Sequence, residues 1–384
     1  MGVKVENQSW EQLLQTMRTY LKGCDQRSSE ISDIVVEGDL LNLAKRHRVS
    51  GLVGAALGSG VSSELDQATV NYQMRSLKLA AHLLDLTKAF DASEFRLIAL
   101  KGVTLSKQLY PSLGLRYVGD IDIWIAESDV EKAHALMQEM GYRDDCYNPL
   151  SPYYRKHYRR LRHHITYTNP EKRSSVELHW SLMSHEAGCP LEFETAFDRG
   201  RDVSLGSQSV RVLSRDDEWL YLHAHAARHL WQRLQWLMDL AIIQQRHTTE
   251  EAEQLLIRAS ELGVQNSVAC GMRLVHDALG VAAPESVLSE SAADSKWRQL
   301  FAMGTNYLNE NGQSQEFVPT SRDMWKAQWA MNRSASSRWH YVEMIFLNPD
   351  DWGRIKLPDR CIWLYFPVRI WFWIRRMFSD HRSV

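Results

Sequence analysis

A short apolar stretch broken by two aspartates constrains the fold of this chain more than any other feature. Asp120 and Asp122 are two residues apart and alternate with Ile121, Ile123 and Ile125. In a β-strand, residues two apart point to the same face, so the carboxylates would share one face and the isoleucines the other. Neighbouring carboxylates repel one another unless a cation lies between them. The pattern therefore predicts a strand over residues 120–125 that carries a Mg²⁺ or Mn²⁺ site.

The composition is typical of a globular protein in a reducing compartment. The chain has 384 residues, enough for two or three domains, and 44% of them are hydrophobic. A formal net charge of −2 gives no overall basic field, which argues against nucleic acid as a partner. The five cysteines are scattered without a CxxC pair. With no signal-peptide pattern and no apolar stretch long enough to span a membrane, we expect a cytoplasmic protein.

Helical spacing of apolar residues dominates both ends of the chain, and short apolar runs with turn signals lie between them. The predicted fold is α+β: a small mixed β-sheet with helical N-terminal and C-terminal parts. The chain divides into an N-terminal helical region, an α/β core, a helical domain and an aromatic, basic tail: residues 1–74, 75–205, 206–324 and 325–384. In the helical domain, Ser214 is a suitable N-cap for one long helix that reaches about residue 245.

Turn and capping residues set the expected boundaries within the core. Strands are predicted at residues 96–100, 120–125 and 142–147, followed by a hairpin of residues 163–168 and 175–180. A short helix is expected over residues 103–109. A second helix would begin at Ser128, with Glu131 completing a capping box, and would stop before Gly141.

A third acidic residue completes the predicted metal site. Glu177 lies between two apolar residues, so it would share a strand face with His179. If this strand lies beside residues 120–125, three carboxylates converge and can hold two cations about 3.5–4 Å apart, which supports an in-line displacement at phosphorus. We assign Asp120, Asp122 and Glu177 as catalytic metal ligands, Glu177 alternatively as a base. His179 is assigned as a contact to substrate or metal, with a structural role as its alternative.

The segment before the aspartates has the residues of a phosphate-binding turn. Lys101 and Gly102 follow a predicted strand and precede a predicted helix, an arrangement that lets the backbone approach a phosphate. Lys101 also adds a cation, and Thr104 adds a hydroxyl. Arg116, shortly before the aspartates, is a further predicted phosphate contact.

This ordered series resembles the nucleotidyltransferase fold of the DNA polymerase beta superfamily. That superfamily has an apolar strand ending in Gly-Gly or Gly-Ser, then Asp-x-Asp or Asp-x-Glu on the next strand, then a third acid on a later one. The chain is more closely similar to an uncharacterised bacterial nucleotidyltransferase-like family, over roughly residues 75–245. The shared motifs are Leu-Lys-Gly at 100–102, Leu-Tyr at 109–110, Arg-x-x-x-Asp-Ile-Asp-Ile at 116–123, Gly-Tyr at 141–142, Glu-Leu-His-Trp at 177–180, and His225, His229, Trp236 and Asp239. Lys101 departs from the superfamily, which has a small residue there.

The resemblance implies transfer of a nucleotidyl group from a nucleoside triphosphate such as ATP to an acceptor hydroxyl, with Mg²⁺ or Mn²⁺ as cofactor. The near-neutral net charge favours a small molecule or a protein as acceptor over RNA. The alternative is a catalytically silent nucleotide-binding or scaffold protein with a vestigial metal site.

For two pairs of histidines, the sequence allows more than one role. His225 and His229 are four residues apart, hence on one helix face. A buried structural face is favoured for them over a nucleotide or acceptor contact, and a zinc site is the least favoured. His163 and His164 precede an alternating strand, so at most one of them lines the site.

The sequence also allows more than one role for two basic, aromatic segments. Residues 153–162 are able to stack on a base or to form a solvated helix face, and the second reading is favoured. The tail from Trp363 to Phe378 combines aromatic residues with arginines, which fits a membrane interface. Packing of this tail against the helical domain, or contact with a partner surface, is the favoured alternative.

Overall fold

One mixed sheet among helices forms the described part of the protein. The computed structural model describes residues 2–23, 38–183, 189–289, 294–309, 320–331 and 335–379. The strands are β1 (Ile98–Ala99), β2 (Ile121–Trp124), β3 (His164–Asn169), β4 (Ser174–His179), β5 (Arg201–Leu205) and β6 (Gln208–Val212). Their order across the sheet is β3-β4-β2-β1-β6-β5. The mixed sheet and the helices at both ends confirm the predicted α+β class.

Helices make up 63% of the structure. They are α1 (Gly2–Lys22), α2 (Gly38–Arg46), α3 (Ser50–Leu57), α4 (Ser63–Ala92), α5 (Val103–Leu109), α6 (Val130–Glu139), α7 (Pro152–Leu161), α8 (Phe193–Arg199), α9 (Arg215–Arg228), α10 (Leu234–Gln244), α11 (Thr249–Glu261), α12 (Gln265–Leu279), α13 (Glu285–Leu288), α14 (Ser295–Asn309), α15 (Ser321–Met331), α16 (Ala335–Phe346) and α17 (Tyr365–Ser379). Among the helices described, none is both long and apolar enough to cross a membrane.

Two apolar clusters pack against opposite faces of β2. One contains Ile123 together with Phe90 of α4 and Met137 of α6. The other contains Trp124 and joins side chains of α1–α3 to those of α9, α10 and α12. Full burial of each large aliphatic side chain contributes about 1.5–3 kcal/mol. The N-terminal and C-terminal helices therefore stabilise each other through one shared core.

The strand predicted at residues 142–147 is wrong. Apart from a single bridge between Arg143 and Thr168, this segment forms a turn. The Asp144 carboxylate accepts backbone N–H bonds from Cys146 at 3.2 Å and Asn148 at 3.0 Å. These backbone N–H groups therefore bind the nearby Asp144 side chain and do not pair with a neighbouring strand, as is common for aspartate in turns.

The β5–β6 hairpin was not foreseen from the sequence. It turns at Gly206, which has a φ of +67°, and β6 pairs in parallel with β1 at the centre of the sheet. The boundary that the sequence predicts between the α/β core and the helical domain, at residues 205 and 206, falls within this turn. The division of the chain into four regions stays a proposal.

The predicted hairpin and one of the two predicted caps match the structure. β3 and β4 pair in antiparallel fashion, with Ile165 opposite Leu178. The Ser128 capping box is wrong, because a short 3₁₀ turn over Glu127–Asp129 precedes α6 and no side chain caps that helix. Helix α6 ends before Gly141, whose φ of +80° suits a helix stop.

The single helix predicted from Ser214 to residue 245 is wrong, because the chain breaks between α9 and α10. Ser214 does cap α9, accepting the Asp217 N–H. Leu230 and Trp231 then adopt φ values of +53° and +47°, and both side chains are fully buried. Their burial offsets the cost of the left-handed backbone. The break redirects α10 toward the sheet.

The basic, aromatic residues 153–162 form α7. Tyr154 and Tyr158 are buried against the sheet, and Arg155 pairs with Glu131 of α6 at 3.0 Å. These contacts make α7 a packed helix with an ion-paired outer side. They give no support to base stacking.

Candidate active site

The alternation along β2 separates acids from isoleucines as the sequence predicts. Ile121 and Ile123 are buried in the cluster with α4 and α6. Asp122 projects to the opposite face, and its side chain has no exposed surface. Asp120 lies just before the strand and is partly exposed. Strand pairing thus places one aspartate beneath the surface and the other at its edge.

The sheet register brings Glu177 beside Asp122. β2 and β4 are parallel, and Asp122 pairs directly with Glu177. In the antiparallel β3–β4 pair, Glu177 lies opposite Thr166 and His179 lies opposite His164. The predicted adjacency of the two acidic strands is therefore confirmed. His164, one of the two adjacent candidate histidines, and Thr166, which the sequence did not mark, therefore lie on the strand beside these residues.

Asp122, Glu177 and His179 form a group able to hold a metal ion. Their donor atoms lie within 4.8 Å of one another, and His179 Nε2 is 3.4 Å from both carboxylates. Among the described residues, the buried Asp122 Oδ2 atom has no hydrogen-bond partner. A buried carboxylate oxygen without a donor is costly unless a cation approaches it. The donor set therefore fits a divalent ion.

A second group of this kind shares His179. Ring nitrogens of His163, His164 and His179 also lie within 4.8 Å of one another. His163 Nε2 already accepts a bond from Arg228 at 2.8 Å. The expectation that at most one of the adjacent histidines lines the site stays a prediction. Asp120 belongs to neither group in the described chain.

Lys101 lies against the buried aspartate. Its Nζ atom is 2.5 Å from Asp122 Oδ1, and its side chain is 14% exposed. Burial alone would lower the pKa of Lys101, but the Asp122 carboxylate acts together with Tyr221, Asp120 and Glu177, and their combined effect outweighs burial and raises the pKa. Lys101 is consequently a permanent cation at the centre of the acidic group.

Charge contacts also set the protonation of the acids. Burial favours the neutral form of Asp122, but Lys101 and His179 together outweigh it and lower the pKa. For Glu177, burial also favours the neutral form, but His179, His164 and Lys101 together outweigh it and hold the pKa well below its usual range. Burial and the Asp122 charge raise the pKa of Asp120. His179 has a raised pKa, because its two carboxylate contacts outweigh burial.

The turn after β1 brings Lys101 to the site, but it does not present all the predicted phosphate contacts. Gly102 has a φ of +69°, and a side chain there would lie 3.3 Å from the Asp120 carbonyl oxygen. Glycine therefore permits both the turn and the close approach. Thr104 is fully buried, and its hydroxyl donates to the Lys101 carbonyl at 3.1 Å. Thr104 is thus held inside the turn, away from the cleft.

Arg116 is held by a carboxylate of the helical domain. Its Nε atom is 3.0 Å from Asp239 Oδ1, and its Nη2 atom is 2.9 Å from Asp239 Oδ2. Only 4% of Arg116 is exposed. The residue lies at the wall of the cleft, but its guanidinium charge is already paired.

A cleft of about 320 Å³ opens above the acidic group. Its wall includes cations from three parts of the chain and an aromatic side: Arg48, Lys101, Arg116, Arg233, Tyr117, His225, His229 and Trp236. Arg48 lies 4.7 Å above the Tyr117 ring and comes from the segment between α2 and α3. No local motif marks Arg48, because its relation to the site exists only in the folded chain.

The paired histidines form part of this aromatic side. The rings of His225 and His229 lie 5.7 Å and 5.2 Å from Trp236. Burial lowers the pKa of His229 to about 3, and burial followed by the His229 charge lowers that of His225. Both are therefore neutral near pH 7, so they offer aromatic and hydrogen-bonding surface to a ligand.

Sequence comparison agrees with this geometry. Residues 36–280, more than half of the chain, match the family described as "Uncharacterised nucleotidyltransferase". This range contains the acidic group and every residue named on the cleft wall. A search of curated proteins found no match. The acidic strands, the cleft and the extent of the match together show that the chain belongs to this uncharacterised nucleotidyltransferase family.

Proposed function

We propose that the protein transfers a nucleotidyl group from a nucleoside triphosphate to an acceptor hydroxyl in a reaction that requires a divalent metal. The observation that carries this proposal is the buried, unpartnered Oδ2 atom of Asp122 beside Glu177 and His179, within the described residues. These three side chains would hold Mg²⁺ or Mn²⁺. When bound, the ion would neutralise phosphate charge and favour ionisation of the attacking hydroxyl. The two-metal form of this chemistry stays a prediction.

In the proposed reaction, the acceptor oxygen forms a bond to the α-phosphorus. The bond from that phosphorus to the bridging oxygen breaks, pyrophosphate leaves, and the hydroxyl proton passes to solvent. Positioning and charge neutralisation dominate such reactions. Asp120 lines the cleft at the edge of β2, and its predicted role as a further metal ligand stays part of this proposal.

The cleft wall supports a nucleotide ligand. Arg48 and Lys101 would contact phosphate oxygens, since both line the cleft above the acidic group. Trp236 and Tyr117 provide ring surface for a base. The net charge of −2 favours a small molecule or protein acceptor over RNA. A cytoplasmic location is proposed from the scattered cysteines.

One observation favours the alternative of a silent nucleotide-binding or scaffold protein. The Lys101 ammonium already neutralises one oxygen of Asp122 at 2.5 Å. A vestigial site would keep this internal pair and lose its affinity for metal. The two functions therefore differ in one measurable property, metal-dependent nucleotide binding.

Calorimetry with a non-hydrolysable ATP analogue, with and without Mg²⁺, distinguishes these functions. We expect binding that needs the metal in the wild type and is lost in Asp122→Asn. Asp202→Asn, which changes an exposed acid on β5, is the matched control and should bind like the wild type. Pyrophosphate release in an acceptor screen then reports the transfer. Absence of metal-dependent binding by the wild type would refute the enzyme function.

A further inference from the structure

The buried aspartate of the candidate site is paired with a cation that belongs to the protein itself. Lys101 Nζ lies 2.5 Å from Asp122 Oδ1, and the charges of Asp120 and Glu177 also act on it. The Lys101 side chain is 14% exposed, so solvent screens this interaction little. The ammonium thus lies against Asp122, one of the residues for which the sequence predicts contact with a metal ion.

Asp122 has only one oxygen left for a metal ion. Oδ1 faces the ammonium at 2.5 Å and lies 3.4 Å from His179 Nε2, whereas Oδ2 is buried and contacts no cation or hydrogen-bond donor among the described residues. An aspartate that serves two metal ions gives one oxygen to each. Since Lys101 uses the first oxygen, the Asp122 carboxylate can bridge one metal ion and one ammonium.

We propose that this site binds a single divalent cation at Asp122, Glu177 and His179, and that Lys101 permanently supplies the second positive charge. This inference rests on the proposed function. The ammonium is fixed by its place in the turn before Gly102, at the wall of the cleft. It would therefore face the phosphate oxygens that a second metal ion otherwise contacts.

Counting bound Mn²⁺ on the full chain tests this proposal without measuring activity. Electron paramagnetic resonance reports free Mn²⁺, and we expect one tight ion per wild-type chain. Lys101→Met keeps the length of the side chain but removes its charge. Because a like charge beside the metal is gone, Mn²⁺ should bind at least about tenfold more tightly, or a second ion should bind. Lys107→Met, at an exposed position on helix α5, should leave the count and affinity unchanged.

The outcomes separate this inference from the function on which it rests. Two tight Mn²⁺ ions on the wild type would overturn the role of Lys101 and leave metal-dependent transfer intact. An unchanged count and affinity in folded Lys101→Met would also overturn it. No Mn²⁺ binding by the wild type would overturn both. If Lys101→Met fails to fold, the wild-type count alone decides between one ion and two.

A separate apolar surface lies on the C-terminal helix. Trp363, Ile370, Trp371 and Ile374 are 63%, 45%, 50% and 48% exposed. Their spacing places them on one side of α17 and the turn before it, here called the exposed face. The other side is packed, with Tyr365 only 1% exposed. The helix is therefore apolar on the side that faces solvent as well as on the side that faces the protein.

The charged residues within this segment are all positive, although Arg369 pairs with Asp351 at 2.9 Å. Residues 360–379 contain four arginines and no aspartate or glutamate. The Arg375 guanidinium lies 5.4 Å from the Trp371 ring centre, within the aromatic surface. Tryptophan and arginine together are typical of helices that lie in the interface of an anionic bilayer. From this charge pattern we infer that the exposed face binds an anionic lipid surface, with α17 lying along it.

Vesicle co-sedimentation of the full chain tests this second inference. We expect binding to vesicles of phosphatidylcholine and phosphatidylglycerol, weaker binding at high salt, and none to phosphatidylcholine alone. Substitution of Ile370→Ser with Trp371→Ser should reduce binding at least about tenfold. Met74→Ser with Leu77→Ser removes comparably exposed apolar residues of α4 and is the matched control. Equal loss in both variants, no vesicle binding, or a dimer that uses the exposed face would overturn the inference.

Discussion

Arg116 and Asp239 form a buried, two-pronged ion pair between the loop before β2 and helix α10. The guanidinium contacts both carboxylate oxygens at 2.9–3.1 Å, and the Tyr110 hydroxyl donates to the same carboxylate at 2.8 Å. The pair joins residues that are 123 positions apart in the chain. It fixes the helical domain against the sheet, so it determines where Trp236 lies relative to the acidic strands.

Asp239→Asn should destabilise the protein strongly. The substitution leaves the Arg116 charge buried without a counter-charge, which typically costs about 3–5 kcal/mol. Urea unfolding at pH 7 measures the change. Asp277→Asn removes the carboxylate of an exposed pair with Arg273 and should cost less than about 1 kcal/mol. Similar losses in the two variants would show that the buried pair is not a structural anchor.

Gly102→Ala should weaken metal binding as well as stability. Alanine at position 102 would have to keep a φ of +69°, and its methyl group would lie 3.3 Å from the Asp120 carbonyl oxygen. Gly206→Ala has a similar φ of +67° with no atom near the new methyl group, so it isolates the backbone cost. We expect both to lose about 1–2 kcal/mol in urea unfolding. Only Gly102→Ala should reduce Mn²⁺ affinity, and equal affinities would contradict the site geometry.

Arg48→Gln should weaken nucleotide binding about tenfold or more. The charge-assisted bonds that a guanidinium makes to phosphate contribute about 1.5–3 kcal/mol. The effect should shrink at high salt, because the cleft is open to solvent. Calorimetry with the non-hydrolysable ATP analogue measures it, and Arg273→Gln on α12, which is not part of the cleft wall, is the control. Unchanged affinity in Arg48→Gln would exclude this residue from the phosphate site.

Acid should destabilise the fold through His47. Burial, followed by the charges of Arg46 and Arg233, lowers the pKa of His47 to about 3 from 6.5, and its Nδ1 accepts the Leu234 N–H. Because the folded pKa is depressed, the stabilisation is present above pH 6.5 and is lost as the pH falls toward 3. Protonation of His47 on unfolding should lower the free energy of unfolding of the wild type by about 2 kcal/mol between pH 7 and pH 5.

The His47→Asn variant isolates this contribution. Asparagine offers an oxygen to the Leu234 N–H but does not titrate. Urea unfolding at pH 7, 6 and 5 should therefore show a shallower pH dependence in the variant than in the wild type. Parallel pH profiles for the two proteins would mean that His47 is not buried in its neutral form.

The sequence by itself determined the parts of the site that depend on local periodicity. The alternation along β2 placed Asp122 opposite the isoleucines, and the same alternation placed Glu177 and His179 on one face of β4. A period of two is intrinsic to an extended backbone, so it is readable without the rest of the molecule. The β3–β4 hairpin was predictable for the same reason. The strand predicted at residues 142–147 was wrong because the Asp144 carboxylate accepts hydrogen bonds from three successive backbone amides and forms a turn there.

Only the tertiary structure decided which charges meet. The sequence presented Lys101 and Arg116 as equivalent phosphate ligands, yet one lies against Asp122 and the other against Asp239. The break at Leu230 and the approach of Arg48 likewise depend on packing between distant helices. Burial makes each unpaired charge costly, so the partner of a buried cation is selected by the whole fold. Periodicity assigns a side chain to a face, and packing across the chain decides what that face contacts.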